Sequence, residues 1–357
     1  MATSMALSQA RRGTLAAMAG AAVLVALSAC DLPLALGQPT TRALESGAAD
    51  GLDAAKSFEI TGTYTEKGDP SLSNTPASGA RTVPPATTTW TMNLQVAKPL
   101  AEHLALKGGS ADLEAIVLVN DAYFRGHQFL AQHLGSDPLS QTLVKAAGNA
   151  WWKGSAGLVP RLPNFTNGIG FRATFLGPAV TARSDHVSVG GVDAVALSGP
   201  RADVYIDASS PYHVLEVRLK KGAVIDGITD ADFHYANFDR DFGISAPSDV
   251  IDFSNFSTLP PVYTVVSVDT FGCTSPCVVS ALLKNLGGTH PAVAPSTVTF
   301  TMTDSASARV LGSCQAQVRP DVGYNSTTTV GCTIANVDVQ AASAAIVTAT
   351  ANNPGSA

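Results

Sequence analysis

The sequence predicts an α+β fold, in which an antiparallel sheet with a few helices is followed by an all-β sandwich. Three observations lead there. Leu44, Ala48, Leu52 and Ala55 recur at helical spacing within 41–57. From Phe58 onward the apolar period changes to two and returns in run after run. The last hundred residues carry evenly spaced strand-like runs, and four of the five cysteines cluster among them.

The first residues read as a targeting segment. Arg11 and Arg12 precede an apolar run from Leu15 to Leu27, which ends in Leu27-Ser28-Ala29-Cys30. Small residues before a cleavage point suit a signal peptidase. A cysteine directly after them resembles the bacterial lipobox, whose thiol accepts a diacylglyceryl group and becomes the new N-terminus. Cys30 is therefore the expected lipidation site, residues 1–29 the signal peptide and 30–40 a tether containing Pro33, Gly37 and Pro39. The apolar stretch spans about 15 residues, shorter than the roughly 20 needed to cross a bilayer. Arg11-Arg12 also matches the start of a twin-arginine signal, but the rest of that motif is poor. The expected location is the cell membrane, lipid-anchored on its extracytoplasmic face. Two or three acyl chains anchor stably, since each buried CH₂ contributes about 0.8 kcal/mol.

Composition narrows the function. The formal charge is −6 over 357 residues, and the signal segment removes two Arg and no acid, leaving about −8. A net-acidic chain with scattered Lys and Arg argues against nucleic acid as a partner. Cys273, Cys277, Cys314 and Cys332 read as two disulfides in an exported chain. A zinc site is disfavoured because no second close pair completes it. Of the three possible pairings, Cys314–Cys332 on neighbouring strands and Cys273–Cys277 within one loop are favoured.

Along the chain, Phe58 to Tyr64 forms the first alternating strand, and a Ser/Pro/Thr-rich loop follows at 68–87. Trp90 to Val96 makes a second run, and Leu104 and Leu106 a third. Ile116 to Val119 and Tyr123 to Phe124 flank a hairpin turn at Asn120-Asp121. Residues 127–150 are helical or loop-like, Trp151-Trp152 starts a strand, and 158–176 carries a helix weakened by Pro160, Pro163 and two glycines. Val187 to Leu197 turns at Gly190-Gly191. Ala202 to Asp207, Val214 to Leu219 and Ala231 to Phe238 complete a meander with one apolar face. Leu215, Val217 and Leu219 are expected on that face, and Glu216 and Arg218 on the other. The first domain then covers 41–254, a linker 255–261, the sandwich 262–350 and a frayed tail 351–357.

In the first domain, Ala122-Tyr123-Phe124-Arg125-Gly126, Asn149-Ala150-Trp151-Trp152-Lys153, Gly191-Val192-Asp193-Ala194, Val204-Tyr205-Ile206-Asp207-Ala208 with Pro211-Tyr212-His213-Val214, and Phe233 to Phe238 followed by Ala246-Pro247 stand in the order seen in the LppX/LprG lipoproteins. The resemblance covers roughly 41–254. It implies a LolA-like fold: a curved antiparallel half-barrel closed by helices over an apolar cavity. It also implies acyl chains of a lipid or glycolipid as ligand and lipid transfer across the envelope, with an envelope transporter as a possible partner. The long loop at 68–87 and the added cysteine-bearing domain depart from the family. Leu283-Lys284-Asn285-Leu286-Gly287 resembles a turn of small FxLYD-type immunoglobulin-like domains.

Trp90, Leu94, Phe124, Phe129, Trp151, Leu215, Val217, Phe233 and Tyr235 are the candidate cavity lining; ordinary packed core is the alternative role for each. No catalytic set assembles. Asp241-Phe242-Gly243 lacks kinase partners, Asp239 and Asp241 lack the closing glutamate of a calcium loop, and Gly168-Ile169-Gly170 lacks the rest of a dinucleotide fingerprint. His213 and His234 are expected to be structural or surface residues. No enzyme activity, metal or cofactor is expected. A cell-surface partner-binding lipoprotein without lipid cargo is the alternative function.

Overall fold

The computed structural model describes residues 38–67, 87–109, 111–274, 276–335 and 345–356. Cys30, the signal segment and almost all of the loop at 68–87 lie outside these residues. Among the described residues no helix is long and apolar enough to cross a membrane.

Helix α1 (Thr41–Ala54) begins where Thr40 caps it, its side chain accepting from the Ala43 N–H at 3.2 Å. Leu44, Ala48 and Leu52 form its buried stripe. The strands that follow are β1 (Ser57–Lys67), β2 (Thr87–Ala97), β3 (Ala101–Gly108), β4 (Ala111–Leu118) and β5 (Asp121–Arg125). Helices α2 (His127–Leu134) and α3 (Pro138–Ala147) come next, then β6 (Trp151–Ser155). Asp137 caps α3, accepting from Leu139 N–H and Ser140 N–H, and Pro138 sits at its first position. The weakened helix expected at 158–176 is only a single α turn, α4 (Gly168–Phe171), followed by one π turn to Leu176. Strands β7 (Ala182–Val189), β8 (Val192–Ser198), β9 (Ala202–Asp207), β10 (Val214–Leu219), β11 (Ile228–Ala236) and the short β12 (Val250–Ile251) complete the first part.

These twelve strands form one open sheet in the order β12-β6-β5-β4-β3-β2-β1-β11-β10-β9-β8-β7. All pairs are antiparallel except β12 with β6. Strand β1 is central: it pairs along its length with β2 on one side and with β11 on the other. The period-two phases fall as expected on β2, where Trp90, Met92, Leu94 and Val96 are all buried. Gly108 of β3 lies opposite Trp90, and a Cβ there would come within 2.5 Å of the indole, so only glycine fits. The Gly190-Gly191 turn has both residues at positive φ, as a two-residue hairpin requires.

Two local expectations are corrected. The β4–β5 turn is Val119-Asn120 rather than Asn120-Asp121, with Leu118 paired to Asp121 and Val119 at φ 52°. On β10 a register shift between Val214 and Glu216 changes the phase, so Val214 and Val217 are fully buried and Leu215 is only half-buried.

The second part has two three-stranded sheets. One is β13 (Tyr263–Asp269), β14 (Cys277–Asn285) and β17 (Thr327–Ile334); the other is β16 (Val310–Gln317), β15 (Thr297–Asp304) and β18 (Ala345–Asn352). They enclose a core of their own around Val279, Leu283, Phe300 and Met302. The expected disulfides are present. Cys314–Cys332 ties β16 to β17, hence one sheet to the other, and Cys273–Cys277 closes the turn into β14. The fold as a whole is mostly β with few helices and open sheets.

Asn285 organises this part from a fully buried position. Its Oδ1 accepts from Val262 N–H at 2.9 Å and Gly287 N–H at 3.0 Å, and its Nδ2 donates to the Gly288 and Val322 carbonyls. The linker at 255–261 and the tail to Ser356 both make contacts with the rest of the fold. Leu259 is fully buried in the first core. The tail continues β18 and then packs: Asn353 accepts from Tyr263 N–H and donates to Tyr263 C=O, while Ser356 N–H donates to the Ala146 carbonyl of α3 at 2.8 Å. Residues from Pro39 onward form one compact unit.

Replacing Asn285 with Ala strands several buried backbone groups and should lower stability by about 3 kcal/mol in denaturant unfolding. A change under 1 kcal/mol would contradict its role. Truncation after Asn352 should lower the melting temperature by several degrees, roughly 1–2 kcal/mol of lost hydrogen bonds, where a frayed tail would leave it unchanged.

Candidate functional site

The apolar face of the large sheet is covered by α1, by α2, and by the segment from Ala156 to Leu176. Aromatic rings knit the cover to the sheet. Phe165 stacks on Phe175 at 5.6 Å and meets Phe233 edge-on at 4.7 Å, and Phe171 meets Tyr235 edge-on at 6.0 Å. Tyr235 Oη donates to the Phe165 carbonyl at 3.3 Å. At the other end, Phe124, Phe129 and Trp152 stack on one another within 5.8 Å.

Between this cover and strands β2–β4 lies a cavity of about 210 Å³. Leu94, Leu104 and Val117 line it from the sheet; Val159, Leu162 and Phe165 line it from the cover. Leu94, Leu104 and Phe165 are buried, whereas Asn164 is exposed, so the cavity runs from a buried floor to an exposed rim. Glu102, Asn164 and Thr166 are its polar members. Among its lining residues Glu102 alone ionises. It pairs with Val96 and Val117 in register and shares the inward phase of Leu104 and Leu106. Burial pushes its carboxyl above the usual carboxylate range.

The nine candidate lining residues separate. Trp90, Leu94, Phe124, Phe129, Val217, Phe233 and Tyr235 join one packed cluster, and of these only Leu94 lines the cavity. Trp151 and Leu215 lie outside the cluster. Trp151 is half-buried on the far side of β6, where the Arg125 guanidinium sits 4.8 Å over its ring; its neighbour Trp152 faces inward instead. Leu215 is turned out by the β10 bulge. Glu102, Leu104, Val117 and the 159–166 segment were not expected. A glutamate in the apolar phase of β3 was the available signal.

Other polar clusters are internally balanced. On β10 and β11, Glu216, Asp232 and His234 lie within metal-binding reach of one another. Arg218, however, pairs with Glu216 and sits 3.5 Å from Asp232, so a cation is already supplied and no metal is assigned. Burial still raises the Glu216 carboxyl, partly offset by Arg218. Glu114 is held low by His103 and Arg125 against the opposing effect of its burial. Asp239 accepts from Lys56 N–H, and Asp241 accepts from Gly243 N–H in a local turn. His213 stacks on Phe238 at 3.8 Å. These residues build turns and faces, and no nucleophile–base pair forms among them.

Because the folded chain holds the Glu102 proton more tightly than the unfolded chain, it loses stability as pH rises from the unfolded carboxylate range through the raised value. Glu102→Gln should therefore raise the melting temperature at pH 7, by roughly 1–3 °C, with the gain shrinking towards pH 4. A gain independent of pH would contradict the burial of this carboxyl.

Comparison with protein-family models and with curated proteins found no match, so the site is read from its own chemistry.

Proposed function

We propose that this chain is a membrane-anchored lipoprotein of the cell envelope that binds the acyl chain of a lipid or glycolipid and takes part in its transfer. The single observation that carries the reading is the cavity, walled by Leu94, Leu104, Val117, Val159, Leu162 and Phe165 with Glu102, Asn164 and Thr166 beside them, beneath a cover on the apolar face of an open sheet. An apolar chain there gains roughly 25 cal/mol per Å² buried without needing placed polar groups. Three further features support it. The lipobox ending at Cys30 gives an anchor beside a lipid supply. The two disulfides suit an oxidising, extracytoplasmic compartment. The long antiparallel sheet with helices on one face accords with the LolA-like half-barrel that the LppX/LprG resemblance implies, and the second part with an immunoglobulin-like sandwich.

The cavity volume of about 210 Å³ lies below the roughly 300–1,000 Å³ of pre-formed ligand pockets. On this reading the closed form holds only part of an acyl chain, and the cover moves outward for the rest.

A partner-binding role without lipid cargo is the second reading. Its observation is the exposure of Phe271 at 98%, with Val266 and Val278 about half exposed on the same small sheet.

Mass spectrometry of organic extracts from the purified full chain distinguishes them. The lipid reading expects near-stoichiometric acyl lipid, reduced at least fivefold in Val117→Trp, which fills the cavity from a partly exposed position. Extracts free of lipid would overturn it and favour the second reading.

A further inference from the structure

Glu102 is a carboxylate that the apolar phase of its strand does not explain. Other shielded carboxylates in the large sheet have partners: Glu114 has His103 and Arg125, Glu59 has Asn93, Gln95 and Asn237, and Glu216 has Arg218. The Glu102 side chain has neither a hydrogen bond nor an ion pair among the described residues. It occupies an inward position between Val96 and Val117, where an aliphatic residue would continue the apolar face. Its carboxyl lines the cavity, and the lining includes no Lys, Arg or His.

An unpartnered carboxyl beside an apolar wall is unfavourable unless something donates to it. The donor must come from solvent or from a ligand. An anionic headgroup would meet a like charge with no cation to offset it. A hydroxyl would take over from the solvent that reaches this carboxyl in the open cavity, and the buried apolar residues would take the chain attached to it. We propose that the cavity selects a single-chain amphiphile with an uncharged, hydroxyl-bearing head, such as a monoacylglycerol, over an anionic one such as a fatty acid. Glu102 accepts the head hydroxyl while Leu94, Leu104 and Phe165 hold the chain. The inference rests on the lipid reading above and adds the class of headgroup.

Isothermal titration of the full chain with monooctanoylglycerol and with octanoate at pH 7 tests it. Monooctanoylglycerol should bind at least tenfold more tightly. Glu102→Gln keeps a polar partner without the charge; it should retain monooctanoylglycerol within threefold and bind octanoate more tightly than the native chain does. Glu102→Leu should lose at least tenfold for monooctanoylglycerol and bring the two probes within threefold of each other. Equal binding of both probes by the native chain, or an unchanged preference in Glu102→Leu, would overturn the headgroup assignment and leave acyl binding standing. Binding of neither probe by the native chain would overturn the assignment and the lipid reading together.

Discussion

An open antiparallel sheet of this width leaves one apolar face that no strand can cover, and everything else in the first part answers to it. Strand β1 sets the constraint. It lies between β2 and β11, so β2–β6 with β12 build one wing of the sheet and β7–β11 the other. The pairing of Ile60 with both Leu94 and Tyr235 joins segments far apart in the chain. The aromatic cluster forms where the wings meet, with Phe58 near Tyr235 and Tyr64 near Phe233. Helix α1 and the segment through Phe165, Phe171 and Phe175 lie over that junction. The cover is therefore anchored near the centre of the sheet, and the cavity lies over the wing built of β2–β4.

Much of this was legible from periodicity. The alternation of Trp90, Met92, Leu94 and Val96 and the stripe of Leu44, Ala48 and Leu52 each give the buried face directly. What failed has local physical causes. A bulge adds one residue to β10 and reverses the phase around Leu215, and alternation within one strand carries no mark of it. Trp151 and Trp152 are adjacent and equally apolar, so the choice of inward ring depends on where β5 and β6 pair. The β4–β5 turn slipped by one because valine at positive φ is rarely expected. The cavity was the least legible feature. Its cover is an irregular stretch with no period, and its one distinctive residue, Glu102, breaks the pattern by which strands are recognised.

The second part depends on polar contacts that hydropathy does not weigh. Asn285 satisfies four backbone groups from three separate stretches of chain, which fixes how β13, the turn after β14 and the loop before β17 meet. Cys314–Cys332 joins facing edges of the two sheets. Asn353 extends the chain past β18 and pairs with both backbone groups of Tyr263. Short polar side chains in Gly/Ser-rich sequence resemble loop punctuation, which hides a tail that packs on α3. The consequence is that the two parts share contacts at α3, where Lys145 also reaches Asn352 at 3.5 Å.

The same contrast between side-chain and backbone holding bears on how the cavity could enlarge. From Val159 to Asn167 the backbone-to-backbone hydrogen bonds of the cover stay local: Val159 N–H to Ala156, Phe165 N–H to Pro163 and Phe171 N–H to Asn167. Pro160 and Pro163 have no N–H to offer a strand. Side chains tie it to the sheet, Phe165 against Phe233 and the Tyr235 hydroxyl on the Phe165 carbonyl, while Phe165 on Phe175 and Asn164 on Thr174 are contacts within the cover itself. Lifting such a segment breaks no sheet pairing, and an acyl chain entering beneath it would restore the apolar contacts that are lost. The sheet side behaves oppositely, since Leu94, Leu104 and Val117 stand on strands paired along both edges. On the lipid reading, therefore, the rigid wall carries Glu102 and sets the position of a headgroup, while the compliant wall adjusts to the length of the chain.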